Sequence, residues 1–304
     1  MLDPFADDLA KILCSKALRR AADKTQISTD PSARYIRTRG AHIDEVVAIS
    51  AVTADLLGLN TSLAQAAAFG HDIGHVPLGH PGEEWVAKKM GLPFCHEVMG
   101  PIVAQRIERK GKGLNLTFQT LEGMMCHSGN TAREGMTPEA WVVRYCDKFA
   151  FIFADMNDLE RMGLTLPNEV LRLASMFGST QRERTTTAIA ALMLESSEHG
   201  RVSFEHCELA QYFVSLRHEM YKVYRAVSQQ NVGHILEPIV ERLAALEMGD
   251  PFLLFALMTD KDINDLRSRL MIDVGDVLKT SAGEIIPHLK QIGPIDLCDS
   301  ELDW

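Results

Sequence analysis

His71-Asp72-Ile73-Gly74-His75-Val76-Pro77-Leu78-Gly79-His80-Pro81-Gly82-Glu83 gathers three imidazoles and two carboxylates in one short stretch. Glycine and proline punctuate it, so a regular helix cannot run through and the backbone can fold closely around something small. Imidazole with carboxylate suits a borderline or hard divalent ion: Mn²⁺, Fe²⁺, Zn²⁺ or Mg²⁺. A lone histidine is usually structural; several beside an acid in such a loop point to a site. His71 and His75 have the four-residue spacing of a zinc-protease helix. That motif needs Glu directly after the first His, and Asp72 stands there instead.

On either side of this loop, helical periodicity dominates. Leu9, Ile12, Leu13 and Ala17 repeat at three- and four-residue steps, and an apolar series from Val46 to Leu57 stops at Gly58. Thr61 or Ser62 can cap a helix running to Gly70. Further helices are predicted near 97–110, 117–127, 138–158, 168–177, 183–198, 206–228, 231–247 and 260–273. Alternating strand patterns are scarce, and no GxGxxG, GxxxxGK[ST] or internal repeat occurs. The fold class is therefore all-α. Two longer loops are expected, 25–40 and 74–82. A weak boundary near 159–180 divides a first unit, 1–160, from a helical region, 161–280, that packs on it. The tail 281–304 holds Pro287, Gly293 and Pro294 and is expected to be extended or loosely attached.

Other chemistry-bearing residues flank the loop. His42 falls near the first turn of one helix, His96 opens another, and His127 ends a third as either a pocket-rim or a helix-end residue. Asp147 stands among Val142, Val143, Phe149 and Ile152. Burying it is costly unless it is paired or bound to a metal, the bland alternative being a surface pair with Lys148. Cys95, Cys126 and Cys146 each precede a site candidate; neighbouring helix residues point ~100° apart, so these read as small packing residues behind the site.

The chain has 304 residues and a formal net charge of −10, with 46% hydrophobic and 24% charged residues. That is ordinary for a globular protein and excludes a global basic field, arguing against nucleic acid as the main partner. The six cysteines form no CxxC pair. The acidic N-terminus lacks signal-peptide order, and no apolar run reaches the ~20 residues that span a bilayer. A cytoplasmic protein without membrane association is expected.

The order His42 … His71-Asp72 … Asp147 resembles the signature of the HD superfamily of metal-dependent phosphohydrolases. The likeness extends to its deoxyguanosinetriphosphate triphosphohydrolase-like branch. Arg19–Gln26 looks like that branch's RRLxxKTQ opening, Arg37–His42 its RTRxxH, and 71–84 its HDIGHPPFGHxGE loop. The segment 138–158 resembles its later metal-Asp helix; Ser179–Arg184 and Phe255–Asp260 resemble weaker blocks. The resemblance implies an HD-domain helical bundle extended by a C-terminal helical half, assembling as a homo-oligomer. It implies one divalent metal on His42, His71, Asp72 and Asp147, and a catalytic group of His75, His80, Glu83 and His96. It also implies substrate contacts from Arg39, Lys148 and Asp155. The implied reaction is hydrolysis of deoxynucleoside triphosphates to deoxynucleoside and tripolyphosphate. The alternatives are another HD-type nucleotide phosphohydrolase, or a nucleotide-binding regulator without turnover. Phe151 departs from the branch, where Tyr is usual, as do Gly40-Ala41 and Ala154; these positions bear on substrate rather than metal.

Overall fold

A computed structural model describes residues 3–27, 35–129, 131–228, 232–268, 273–282 and 285–300. Among these residues the structure is helical; no strand forms, and only an isolated bridge joins Thr25 to Thr38. The first helices are α1 (Pro4–Leu13), α2 (Lys16–Ala21), α3 (Arg39–Leu56), α4 (Thr61–Gly70), α5 (Gly79–Met90) and α6 (His96–Ile102). A wider π turn, Val103–Ile107, continues α6 into α7 (Glu108–Gly111). Then come α8 (Phe118–Met125), the long α9 (Pro138–Arg161), α10 (Asn168–Ser175), α11 (Gln181–His199) and α12 (Glu208–Ser228). The series closes with α13 (Gly233–Ala245), α14 (Pro251–Ala256), α15 (Asp260–Ser268), α16 (Val274–Ala282) and α17 (Ile286–Ile292).

Several boundaries differ from the sequence expectation for local reasons. The periodicity from Leu9 to Ala17 breaks because Ser15 caps a new helix, its hydroxyl accepting from Leu18 N at 3.1 Å. Buried Glu108 completes that cap by accepting from Lys16 N and Ala17 N at 3.1 and 2.9 Å. Asn60, not Thr61 or Ser62, caps α4, accepting from Leu63 N at 2.9 Å. Helix α5 begins at Gly79, inside the stretch expected as loop. The tail folds into α17 and buries Leu289 and Leu297 rather than lying extended. Residues 28–34 of the first expected loop, 269–272 of the helix expected to reach 273, and 301–304 of the tail lie outside the described residues.

Helix α4 is central, packing against α1, α3, α8 and α9. Two apolar cores flank this group. One joins α1, α5, α6 and α8 to α13–α17 through residues such as Ile12, Met99, Leu236, Leu254, Phe255 and Leu278. The other wraps α10–α12 around the C-terminal half of α9, where Phe149 meets Phe213 edge to face at 5.0 Å. Each fully buried side chain of this size contributes ~1.5–3 kcal/mol. Residues 161–228 and 232–300 thus pack against different parts of the chain.

Candidate metal centre and active site

The loop 71–78 that leads into α5 is held on both sides. A Cβ at Gly74 would lie 2.2 Å from His96 O and 2.3 Å from Gly100 N, so only glycine lets the loop press against α6. On the opposite side the Lys24 ammonium donates to His75 O and, at 3.0 Å, to Ala256 O. Asp260 Oδ1 accepts from Leu78 N at 3.1 Å and from Thr25 Oγ1 at 2.5 Å. The late segment 256–260 therefore braces the loop, which gives the Phe255–Asp260 block a structural purpose. Burial lowers the Lys24 pKa to about 7.

His42 on α3, His71 and Asp72 at the end of α4, and Asp147 on α9 meet in the interior. His42 Nε2 lies 3.1 Å from Asp147 Oδ1, 3.4 Å from His71 Nε2 and 3.7 Å from Asp72 Oδ2. His71 Nε2 lies 3.5 Å from Asp72 Oδ1 and 3.7 Å from Asp147 Oδ1. His71 Nδ1 donates to Ala68 O at 2.6 Å, which turns the bare Nε2 toward the carboxylates. Asp147 is no surface partner of Lys148. Burial opposes its charge, yet the His42 hydrogen bond and the imidazole His71 hold it well below the usual carboxylate range. Asp72 is held low likewise, against burial, by His71 and by Arg39, whose guanidinium pairs with it. Donor atoms of His42, His71 and Asp147 lie close enough to share one divalent ion, and Asp72 joins His71 and His127 in an overlapping group, so ionised carboxylates and oriented imidazoles here fit a divalent ion.

Beside this group stands a second one. Glu83 Oε1 lies 2.5 Å from His75 Nδ1 and 3.2 Å from His96 Nδ1; its Oε2 lies 3.4 Å from His80 Nδ1. Burial would raise the Glu83 carboxyl, but His75 and His96 keep it well below its ordinary range. Burial drives His75 down to about 3. Burial also opposes charge on His96, yet Glu83 outweighs it and lifts the imidazole to about 9. His80 alone of these is exposed. His127 joins them from the end of α8, its Nε2 3.2 Å from His96 Nε2 and 3.6 Å from Asp72 Oδ1. Its sequence signal was faint: one imidazole after a helix, with no acid beside it.

Both groups open on a shared cleft. Its far wall carries Phe151, Asp155, Tyr221, Tyr224 and Val227. Tyr224 donates its hydroxyl to Asp155 Oδ2 at 2.9 Å, and Arg37 pairs with Asp155, Glu45 and Asp158. Burial pushes the Asp155 carboxyl up to about 7 against the pull of Arg37. Arg39 reaches the cleft wall but is committed to Asp72. Lys148 does not reach it: its ammonium donates to His127 O and Arg144 O at 3.0 and 2.9 Å. Tyr221 and Tyr224 could not be found by motif, because the fold brings them to α9 from a distant helix.

The HD domain family matches residues 39–152, a span that contains all four residues of the first donor group. A deoxyguanosinetriphosphate triphosphohydrolase-like protein of Clostridium perfringens is 32% identical over 253 residues, covering 78% of this chain and 73% of that protein. The chain belongs to the HD-domain, deoxyguanosinetriphosphate triphosphohydrolase-like family. A member from Caldanaerobacter subterraneus subsp. tengcongensis is 36% identical over 200 residues, 66% of this chain and 58% of that protein. Another, from Clostridium tetani, is 36% identical over 190 residues, 61% of this chain and 54% of that protein. The match thus spans little more than half the length of these last two relatives. No described helix is long and apolar enough to cross a membrane.

Proposed function

We propose that the chain is a divalent-metal-dependent phosphohydrolase that converts a deoxynucleoside triphosphate and water to deoxynucleoside and tripolyphosphate. The observation that carries this reading is the adjacency of two groups on one cleft: the donor set of His42, His71, Asp72 and Asp147, and the Glu83-centred imidazole cluster. The names of the family relatives point the same way.

When bound, a divalent ion supplies Lewis acidity and positive charge against phosphoryl oxygens. The chain's own residues do the rest. The water oxygen joins the α-phosphorus, the bond to O5′ breaks, and O5′ takes a proton. We assign that proton to His80, which is exposed at the cleft with its Nδ1 3.4 Å from Glu83 Oε2. Glu83 orients the imidazoles around it, and His75 and His96 form the dry wall behind. Phe151, with Tyr224 held on Asp155, offers an aromatic face and a polar edge to the sugar.

The test is incubation with each dNTP and Mn²⁺ in ¹⁸O water, with products separated by ion exchange. Tripolyphosphate bearing the label, appearing together with deoxynucleoside, is the expected first product. Orthophosphate or pyrophosphate released first would replace this reading with a different nucleotide phosphohydrolase.

A further inference from the structure

The tail returns to the segment that leads into α6. Leu289 and Leu297 are buried in the same apolar core as Phe94 and Val98, so the tail is seated there. Asp296 Oδ1 accepts from Cys298 N at 2.9 Å and tightens the turn before the cysteine. That turn aims the thiol at the other segment, where Cys298 Sγ donates to Pro93 O. Two residues beyond Pro93 stands a second thiol, Cys95. It is the residue on which α6 starts: its backbone is extended, and its carbonyl accepts from Val98 N and Met99 N at 3.3 and 3.1 Å. Both cysteines are half-buried, whereas Cys126 and Cys146 are sealed in the interior. Burial and Glu97 push the Cys95 thiol up to about 12, and Cys298 adds to the push, so the two sulfurs lie near enough to feel one another. Burial raises the Cys298 thiol as well, with Asp296 second. Bridged cysteines have Cα atoms ~4.4–6.8 Å apart, and two residues of extended chain advance ~7 Å. Cys298, already on Pro93, is therefore about one such step from Cys95, a gap that a small slide of the tail closes.

We propose that Cys95 and Cys298 form a disulfide that clasps the tail to the start of α6 under oxidising conditions. The oxidant is a small-molecule disulfide of the glutathione class. Cys298, deprotonated, attacks one sulfur of that disulfide; its S–S bond breaks and one glutathione leaves as thiolate and takes a proton. Cys95, deprotonated in turn, attacks the Cys298 sulfur of the mixed disulfide and expels the second glutathione. Two protein thiols lose two electrons and two protons, and one glutathione disulfide becomes two thiols. Thiols of high pKa are slow to attack at neutral pH and slow to leave, so the clasp forms gradually and then resists reduction. It pins the residue directly before His96. The bridge needs neither metal nor nucleotide, so its test is independent of the proposed reaction.

Fully reduced protein, freed of reductant, is incubated with glutathione disulfide at mildly alkaline pH, alkylated, digested and mapped by mass spectrometry without reduction. A peptide pair joined through Cys95 and Cys298, lighter by two hydrogens than the separate thiols, is expected. The bridge closes a loop over most of the chain, so the oxidised protein should also melt several degrees higher, and strong reductant should reverse the shift. Cys95→Ser and Cys298→Ser should each remove the joined pair and the shift. Cys14→Ser, on the surface at the end of α1, should keep both. The mapping itself uses the wild-type chain and stands whether or not the serine variants fold. Cys95 and Cys298 both recovered alkylated, a lasting glutathione adduct on Cys298, or a bridge joining either residue to another cysteine would overturn the clasp.

Discussion

The rings of His75 and His96 lie stacked, with centroids 3.7 Å apart and planes 14° from parallel. Two imidazolium rings cannot share that geometry at low cost. The structure divides the charge accordingly: burial keeps His75 neutral down to about 3, while Glu83 holds the proton on His96 up to about 9.

This division gives the metal-free protein a defined pH response. The folded pKa of His96 lies above its ordinary 6.5, so its stabilising contribution is complete below 6.5 and is lost as pH rises through about 9. The full effect is on the order of 3 kcal/mol. Thermal midpoints of chelator-treated protein should fall across that window. Glu83→Gln should flatten the fall; an unchanged slope would show that Glu83 does not hold this proton.

Removal of the first donor group should cost metal before it costs fold. Asp147→Ala and His42→Ala are each expected to lower bound Mn²⁺ by at least one ion per chain and to abolish turnover. Elemental analysis of the folded variants checks this, and undiminished metal content would refute the assignment.

Sugar recognition should depend on Tyr224 more than on position 151. Phe151 lacks a hydroxyl, but Tyr224 sets one 2.9 Å from Asp155 on the same wall. Losing a neutral hydrogen bond costs ~0.5–1.5 kcal/mol, or about two- to twelve-fold in kcat/KM. Tyr224→Phe should change the kcat/KM ratio of a dNTP to its 2′,3′-dideoxy analogue by about that factor. Phe151→Tyr should move it less. Equal ratios in all three proteins would remove this wall from substrate selection.

Gly74→Ala tests the close packing of the loop on α6. The added methyl meets backbone atoms of His96 and Gly100, which cannot swing aside. Overpacking of this kind costs ~1–3 kcal/mol or more. The thermal midpoint should drop by several degrees, and turnover should drop further, because His75 and His96 both shift. Wild-type values in calorimetry and in assay would show that the contact relaxes freely.

The all-α class was legible because apolar residues recur at helical steps over most of the chain. The first donor group was legible because acids and imidazoles are costly to bury without a purpose, and Asp147 sits in an apolar run. The start of α5 was hidden. Its N-terminus has no side-chain cap, and Leu78 before it takes a left-handed turn, φ +66°, which local pattern does not foretell. Tyr221 and Tyr224 were hidden for another reason, and His127 could be read only as a pocket-rim or helix-end residue: the neighbours of all three are supplied by the tertiary fold. Lys148 was expected at the substrate by resemblance alone; adjacent helix positions diverge, and in the fold its ammonium turns to the carbonyls of His127 and Arg144.

Asp147, Phe151 and Asp155 stand at successive four-residue steps on α9, within one unbroken helix. A straight helix fixes their separation: eight residues at ~1.5 Å each set the first acid about 12 Å from the last along the axis. Under the proposed function α9 is a ruler laid beside the substrate, with zero at the metal and its far mark at the sugar's polar edge. A nucleotide is then selected by length before chemistry. Inserting or deleting one residue between 147 and 155 would rotate the far mark off the cleft by about 100°. Its effect would fall on which substrate fits, while His42, His71, Asp72 and Asp147 keep their places.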